Sequence, residues 1–557
     1  MSLPVLALLI LVVLAVGYHL YGGFVARQYR LDPAATTPAQ RVNDGVDFVP
    51  TEPVYLLPQH FSAIAAAGPI AGPILAAQQF GWLPCVLWIA FGVVFIGAVH
   101  DFSTLVASIR HDAHSIAEVI RAHLGRGAYL AIMSFILVAL VYVILAFTDV
   151  TASTFVSGDA DTKGLGFRFN PGGAVAAASV MYLSLSVVMG LVQRFLSPPL
   201  WLQTIIFVPL TLVAVWGGTQ LSTVLVLDGK TWAVLILGYC FVASLVPVWA
   251  LLQPRGYLGG FVLYMAIAAG TIGLFFGGFS IKQEAFRGFV APGATGMLFP
   301  FLFVTIACGA CSGFHGLVCS GTTSKQIARE DHCKPIGYGA MLLEAFVAII
   351  ALATVMIAAP SELAGKAPGA VYGQGLGRFL AVVIGEDNLV FATTFGAMAF
   401  STFVFDTLDV CTRLGRYILQ ELLGWKGRAG AVATTALMCF VPLALVMVSS
   451  SGSYRMFWTL FGTSNQLLAG LSLIAVSVWL KNSGKRYWYT FWPALFVLTI
   501  TLWSLVLQVR TGLLGAHTRV EIVNGVVAFG LILLAVALLY FAQRAFFARK
   551  AAEGAVA

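Results

Sequence analysis

Apolar residues come in runs of about 20, the length that carries a helix across the hydrocarbon core of a bilayer, and these runs repeat from Pro4 to Ala548. The pattern predicts fifteen spanning helices, at 3–23, 61–79, 84–108, 128–149, 174–193, 200–217, 231–252, 257–279, 297–320, 337–359, 388–411, 429–448, 456–480, 488–507 and 521–547. Between them no stretch is long enough for a soluble domain of useful size. The first run opens Met1-Ser-Leu-Pro without Lys or Arg and is too long for a cleaved signal peptide, so it is expected to stay as a helix. Arg27–Pro58 and Ser115–Leu124 read as ordinary solvated connections; the alternative for the second is a short amphipathic helix at the interface.

Composition agrees with the pattern and removes other classes. Hydrophobic residues make up 59% of the chain and charged ones 10%, against about a quarter charged in a soluble domain. Soluble enzymes, nucleic-acid binders and secreted disulfide scaffolds are excluded, and the net charge of +8 calls for a membrane explanation. Of the 31 Lys and Arg residues, 21 fall in loops after odd-numbered spans or in the C-terminal tail, and 10 after even-numbered ones. Cytoplasmic loops carry such an excess, which puts the N-terminus outside and the C-terminus in the cytoplasm. The eight cysteines mostly lie inside spans and read as small packing residues rather than a disulfide framework.

Two spans are unlike simple lipid-facing helices. In the second, His60-Phe-Ser-Ala-Ile-Ala-Ala-Ala-Gly-Pro-Ile-Ala-Gly-Pro73 carries two Gly-Pro pairs, which remove backbone donors and bias Gly68 and Gly72 away from helix. A break near the middle is expected. In the ninth, Gly309, Gly313, Gly316 and Gly321 alternate with Thr305, Ser312, Ser320, Thr322 and Thr323 around His315. One such segment alone is more often tight helix packing than a binding site. The pair lies seven spans apart, an odd offset, so the two run in opposite directions, as in inverted-repeat carriers whose discontinuous helices meet at the midplane. Amide groups freed at a half-helix N-terminus suit a carboxylate, and freed carbonyls suit a cation.

These motifs resemble those of the carbon starvation protein A (CstA) family. His60 through Gly68-Pro69 and Gly72-Pro73 to His100-Asp101-Phe102 is similar to its N-terminal signature, and Phe299 through Gly309, Ser312-Gly-Phe-His315 and Ser320-Gly-Thr-Thr323 to its second. Asp406-Thr-Leu-Asp409, Thr412-Arg413-Leu-Gly-Arg416-Tyr417 and Leu460-Phe-Gly-Thr-Ser-Asn465-Gln466 look like its C-terminal half. The resemblance implies a bacterial inner-membrane secondary transporter related to the amino acid–polyamine–organocation superfamily, taking up peptides or pyruvate during nutrient limitation. It implies an all-α, LeuT-like inverted-repeat core, with a peripheral helix over 1–26 and repeats over 59–280 and 297–548. It further implies that the adjacent hydroxyls Ser401 and Thr402 belong to a sodium site, although pyruvate-carrying members use protons.

The expected substrate contacts are His60, Ser62, Gly68, Gly72, Thr305, Gly309, Ser312, Gly313 and His315, and the expected coupling groups are His60, His315, Asp101, Ser401 and Thr402. An ionisable group within a span is costly and so points to function, and His315, beside a predicted break, could carry a proton or meet a carboxylate. Asp149 reads as a solvated helix end; Asp101, Asp406 and Asp409 could pair with Arg110 or Arg413 or form an inner gate, and pairing with Arg413, four residues on, is expected for Asp409. Cys308, Cys311, His315 and Cys319 have spacings that suit a metal-binding face, yet on an unbroken helix they would span roughly 16 Å, so no metal is expected. No catalytic triad or nucleotide fingerprint occurs, and no cofactor beyond a coupling proton or sodium ion is expected. The expected function is cation-coupled import of pyruvate or small peptides. A membrane nutrient sensor and a membrane metalloprotein are the alternatives.

Overall fold

The computed structural model describes residues 2–45, 47–156, 169–290, 296–450, 453–515 and 518–547. Met1 and residue 548, outer limits of two expected units, lie outside them. Among the described residues the chain is helical, with a single isolated bridge between Thr51 and Ile327. The principal helices are α1 (Leu3–Tyr29), α2 (Pro53–Ile64), α3 (Gly68–Phe80), α4 (Trp82–Ile109), α5 (Ile116–Leu124), α6 (Arg126–Phe155), α7 (Pro171–Leu196), α8 (Leu200–Gln220), α9 (Gly229–Leu245) and α10 (Leu252–Phe276). They continue as α11 (Leu298–Thr305), α12 (Gly313–Gly321), α13 (Glu330–Met356), α14 (Pro368–Ile384), α15 (Glu386–Leu423), α16 (Gly427–Val448), α17 (Tyr454–Asn482), α18 (Trp488–Leu514) and α19 (Arg519–Phe547).

Twelve of these are long and apolar enough to cross a membrane, and α2 with α3, bent by 45°, make a thirteenth. The expected count was fifteen. The remainder are α9, which is only 17 residues long, and the ninth segment, which is divided into α11 and α12 of 8 and 9 residues. The molecule is thus a multi-helix membrane protein with one helix the apolar pattern does not show. That helix is α14, where 360–387 reads as a loop. Its Gly369, Gly373, Gly375 and Gly377, with Gln374 and Arg378, hold its hydropathy down.

The same glycines seat α14. A Cβ at Gly369 would fall 2.6 Å from Phe400, one at Gly373 2.6 Å from Ala397, and one at Gly377 2.8 Å from the Thr393 backbone. Helix α14 therefore runs antiparallel along the first part only of α15, close enough for backbone contact. It covers only that part, and Thr354 near the end of α13 lies beside it too, 2.2 Å from where a Cβ on Gly375 would fall, so the end of α13 and the start of α15 meet around α14. Contacts at the two ends agree. Arg110 pairs with Glu330 at 2.9 Å, the Asp32 amide also donates to Glu330, and Lys485 reaches the Tyr29 carbonyl, all from connections after odd-numbered spans. At the other end Lys282 N–H donates to Met356, Arg287 N–H to Phe80 and Leu83 N–H to Ala285.

Enclosure falls outward from one helix. The most apolar window of α17 is 94% buried, against 28% for α8. Segment 115–124 is a helix, α5, capped by Ser115 at the Glu118 N–H; Ile116, Val119 and Ile120 are buried, so it packs on protein. Asp149 is also buried, against the backbone of Tyr454 at the start of α17, and is not a solvated helix end.

Candidate functional site

Both interrupted spans break. In the second the break falls at Ala65–Ala67, about one turn before the expected Gly68–Gly72. Proline is favoured in a first turn, where its missing N–H has no partner to lose. Pro69 therefore starts α3 instead of interrupting it, and Pro73 is carried inside. In the ninth span, Ile306–Ser312 is unwound between α11 and α12, where Gly309 and Gly313 place the break.

The two breaks touch. A Cβ on Gly68 would lie 2.4 Å from Cys308 Sγ, one on Gly72 2.6 Å from the Thr305 carbonyl oxygen, and one on Gly309 3.7 Å from Pro69 Cα. Beyond the breaks, His60 Nδ1 shares a 2.8 Å hydrogen bond with Thr323 Oγ1, and its Nε2 is 3.8 Å from Cys319 Sγ. Rising numbers in one span meet falling numbers in the other, so the pair is antiparallel along its length. Ala66, in the first break, is half-buried, Ser62 is half-buried with its Oγ near Gly260 of α10, and Cys308 is the one described cysteine that is not fully buried.

Helix α17 holds the unwound segment. Asn465 Oδ1 accepts the Phe314 N–H at 2.8 Å, capping α12, while its Nδ2 donates to Ser312 Oγ at 3.0 Å and Cys308 Sγ at 3.3 Å. Gln466 Nε2 donates to the Phe303 carbonyl at 2.9 Å. The indoles of Trp458 and Trp88 donate to the carbonyls of Thr305 and Ile306 at 3.1 and 3.2 Å. Helix ends leave carbonyls without intrahelical partners; such carbonyls were expected to be free for a cation, and three of them here, those of Phe303, Thr305 and Ile306, are taken by side chains. Gly462 permits the approach, since a Cβ there would lie 1.9 Å from the Val304 carbonyl oxygen.

Beside the second break lies a sealed cluster of ionisable groups. His315, in the first turn of α12, donates through Nδ1 to Asp101 Oδ2 at 2.9 Å, and its Nε2 stands 3.3 Å from Glu344 Oε2 of α13. Asp101 Oδ1 also accepts from His100 Nδ1 at 2.8 Å. All four side chains are at most 1% exposed. Asp101 is thus paired with histidines, and Arg110 with Glu330. Three of the four candidate metal ligands turn to different partners: Cys308 faces Gly68 and Asn465, Cys319 faces His60, and His315 faces the carboxylates. Among the described residues no group of three or more His, Cys, Asp or Glu is arranged to hold a metal ion.

Other expected groups lie elsewhere. Ser401 bonds Ser179 of α7 at 2.7 Å and the Met398 carbonyl, and the Thr402 methyl group packs near Gly259 of α10; neither is brought to a break by these contacts. Asp409 pairs with Arg255 of α10 at 2.9 Å and accepts from Tyr239. Arg255 also meets Asp406 at 2.7 Å. Arg413 instead caps α9 through the carbonyls of Ala243 and Val246, so the expected i,i+4 pair does not form. Outside the spans, burial pushes the His123 imidazole down to about 4, and the nearby His111 adds to the effect.

The sequence model of carbon starvation protein CstA matches residues 3–374 and 359–504, which together take in both breaks, the charge cluster and Asn465. The chain belongs to the CstA family. It is 33% identical to a peptide transporter CstA of Helicobacter pylori, over 89% of this chain and 80% of that protein, and 32% identical to a peptide transporter CstA of Escherichia coli, over 87% and 78%. It is 31% identical to a pyruvate/proton symporter BtsT of Escherichia coli, over 88% and 80%. The chain is accordingly a transporter and not an enzyme. Among solved structures, a manganese transporter of Eremococcus coleocola aligns at a TM-score of 0.48 and 13% identity, covering 89% of this chain and 94% of that one.

Within this CstA-family chain, sequence reasoning missed Glu344, Asn465, Gln466 and Arg255 as parts of a site. Glu344 is a lone carboxylate in the middle of an apolar span, a sufficient signal by itself. Asn465-Gln466 stands amid the polar run Thr463-Ser464-Asn465-Gln466 of a span, which is costly unless each group finds a partner. The partners, backbone groups some 150 residues away, have no signature in a single sequence.

Proposed function

We propose that the chain imports a small carboxylate, pyruvate first among candidates, across the bacterial inner membrane by proton-coupled alternating access. The observation that carries this reading is the contact of two antiparallel broken helices, Gly68–Gly72 against Thr305–Gly309, with His315 and Asp101 sealed beside it. Substrate sits at this contact, meeting Ser62, Thr305, Ser312 and the backbone at Gly68, Gly72, Gly309 and Gly313, with its carboxylate toward the α12 N-terminus. A bundle then rocks about the breaks to exchange access. The close approach of the two breaks favours a small substrate, and the name of the Escherichia coli symporter relative is consistent with pyruvate.

A proton is favoured over sodium as the coupling ion. The α11 carbonyls that would ligate sodium are engaged by Trp88, Trp458 and Gln466, and Ser401 is turned to α7. His315, His60 and Asp101 are the proton-linked groups. In this reading the two broken helices and α9 each make one crossing, giving fifteen, and 59–280 and 297–548 form LeuT-like inverted repeats behind a peripheral helix 1–26. The N-terminus is periplasmic and the C-terminus cytoplasmic, and import serves the carbon starvation response. A short peptide is the second reading, favoured by the names of most relatives.

Uptake of labelled pyruvate and of a dipeptide into proteoliposomes, with an imposed proton or sodium gradient, tests the proposal. Pyruvate accumulation on the proton gradient is expected. Accumulation of neither compound on either gradient would overturn it.

A further inference from the structure

Glu344 is a carboxyl group buried in the middle of a span. It lies at mid-length of α13, is 0% exposed, and makes no hydrogen bond of ordinary geometry through either carboxyl oxygen, its nearest donor being His315 Nε2 at 3.3 Å. An ionised carboxylate held in that way has lost its water and received little in return. The titratable groups that face it are His315 from α12, with Nε2 at 3.3 Å, Asp101 from α4 and Cys308 from the unwound segment. His100 and His60 complete the cluster behind Asp101 and His315.

Charge counting then assigns the proton. Asp101 accepts two imidazole N–H groups, one on each oxygen, which is the environment of an ionised carboxylate. The two ring nitrogens of His315 each face a carboxyl group, so a cationic His315 balances one negative charge and not two. With Asp101 ionised, His315 cationic, and His100 and His60 neutral, the sealed cluster is neutral only while Glu344 is the uncharged acid. One turn further along α13, Ala348 meets Gly309: a Cβ on that glycine would lie 2.9 Å from the Ala348 methyl group. Any change in how α13 seats at Glu344 therefore reaches the second break directly.

We propose that Glu344 is the group that carries the coupling proton. It is protonated in the packed arrangement described here, and it loses the proton when α13 and the break at Gly309 separate and water reaches the cluster. The O–H bond of Glu344 breaks, the proton passes to water, and the carboxylate is left paired with cationic His315. His315 is then a positioning residue, held by Asp101. The proposal rests on the proton-coupled reading above.

The test uses the full chain, purified and in proteoliposomes, without needing a known substrate for its first arm. Infrared difference spectroscopy on the substrate-free protein should show the C=O stretch of a protonated buried carboxylic acid that titrates, and Glu344→Gln should remove it. In vesicles, Glu344→Gln should lose accumulation on a pH gradient, while pyruvate counterflow, which needs no net proton movement, should fall far less, so that the ratio of accumulation to counterflow drops. Glu344→Asp should restore accumulation in part. A spectrum of the unaltered protein without such a band overturns the proposal even where the Gln variant does not fold, and so does a Gln variant that still concentrates pyruvate on a pH gradient. If the unaltered protein shows no proton-driven accumulation while the band titrates and depends on Glu344, the coupling reading falls and the proton site stands.

Discussion

Replacing Asn465 by Ala isolates what holds the second break. The amide makes three contacts with it, to the Phe314 N–H at 2.8 Å, Ser312 Oγ at 3.0 Å and Cys308 Sγ at 3.3 Å. A net hydrogen bond contributes about 1 kcal/mol, and a buried N–H left without a partner costs about 1–3 kcal/mol; an N-cap removed costs about 0.5–2 kcal/mol. These overlap at Phe314, so the loss comes to roughly 2–4 kcal/mol, concentrated in 306–314. At about 1.4 kcal/mol per tenfold change, local opening becomes about 30- to 700-fold more frequent. Hydrogen–deuterium exchange of the purified protein reads this directly, because exchange from local opening reports the free energy of that opening. Peptides covering 306–314 should exchange faster by that factor, while those from α6 and α15 should not change. Asn465→Asp keeps the acceptor for Phe314 and loses the Nδ2 donor, so its effect should be smaller in the cap and present at Ser312. Unchanged exchange in 306–314, or loosening spread evenly over α17, would refute the claim that this side chain supports the break.

Other expectations follow from single contacts. Arg255→Met leaves Asp409 buried without its cation, a kind of loss that costs about 3–5 kcal/mol; thermal unfolding should fall sharply and recover in the double variant with Asp409→Asn, and equal instability of the two would contradict the pairing. Gly462→Ala drives a methyl group into the Val304 carbonyl and should lower both stability and transport, which the folded yield and uptake of the variant will show. His123 donates from Nε2 to His111 Nε2 at 2.8 Å, while His111 Nδ1 donates to the Ala107 carbonyl at 2.6 Å. Since the His123 pKa is about 4 in the fold and near 6.5 when unfolded, the unfolded chain binds more protons between these values. Stability from this contact is therefore complete above pH about 6.5 and declines as pH falls toward 4, and His123→Asn should flatten that part of a melting-temperature profile. A slope unaltered by the substitution would assign the acid sensitivity elsewhere.

The contrast between what the sequence reveals and what it hides follows from the range of each interaction. Spanning helices are legible because twenty apolar residues have few other fates, and the parity of basic loops is mirrored by contacts such as Arg110–Glu330 at one end and Arg287–Phe80 at the other. Helix α14 is hidden because its stabilising feature, glycines that admit a neighbouring backbone, lowers the hydropathy used to find it; the spacing Gly369, Gly373, Gly377 was the available sign. The breaks are legible to within a turn, with Pro69 acting as a helix start. The pairing of Asp409 with Arg255, 154 residues away, overrides a local rule that favoured Arg413, since an exposed i,i+4 pair contributes only a few tenths of a kcal/mol. Asn465 and Gln466 were visible as polar residues in a span, and only the fold shows that they serve backbone groups.

The central claim is that substrate and proton act at the contact between the two breaks. Cys308 provides a direct reading, being part of that contact and partly exposed while the other seven cysteines are buried. A membrane-impermeant thiol reagent, added from either side of oriented vesicles, should modify Cys308, and pyruvate should slow the modification at concentrations that saturate transport. Imposing a proton gradient with pyruvate present should move reactivity from one side to the other. A Cys308 thiol that reacts at the same rate with and without transported substrate, from the same side under every gradient, would contradict the account.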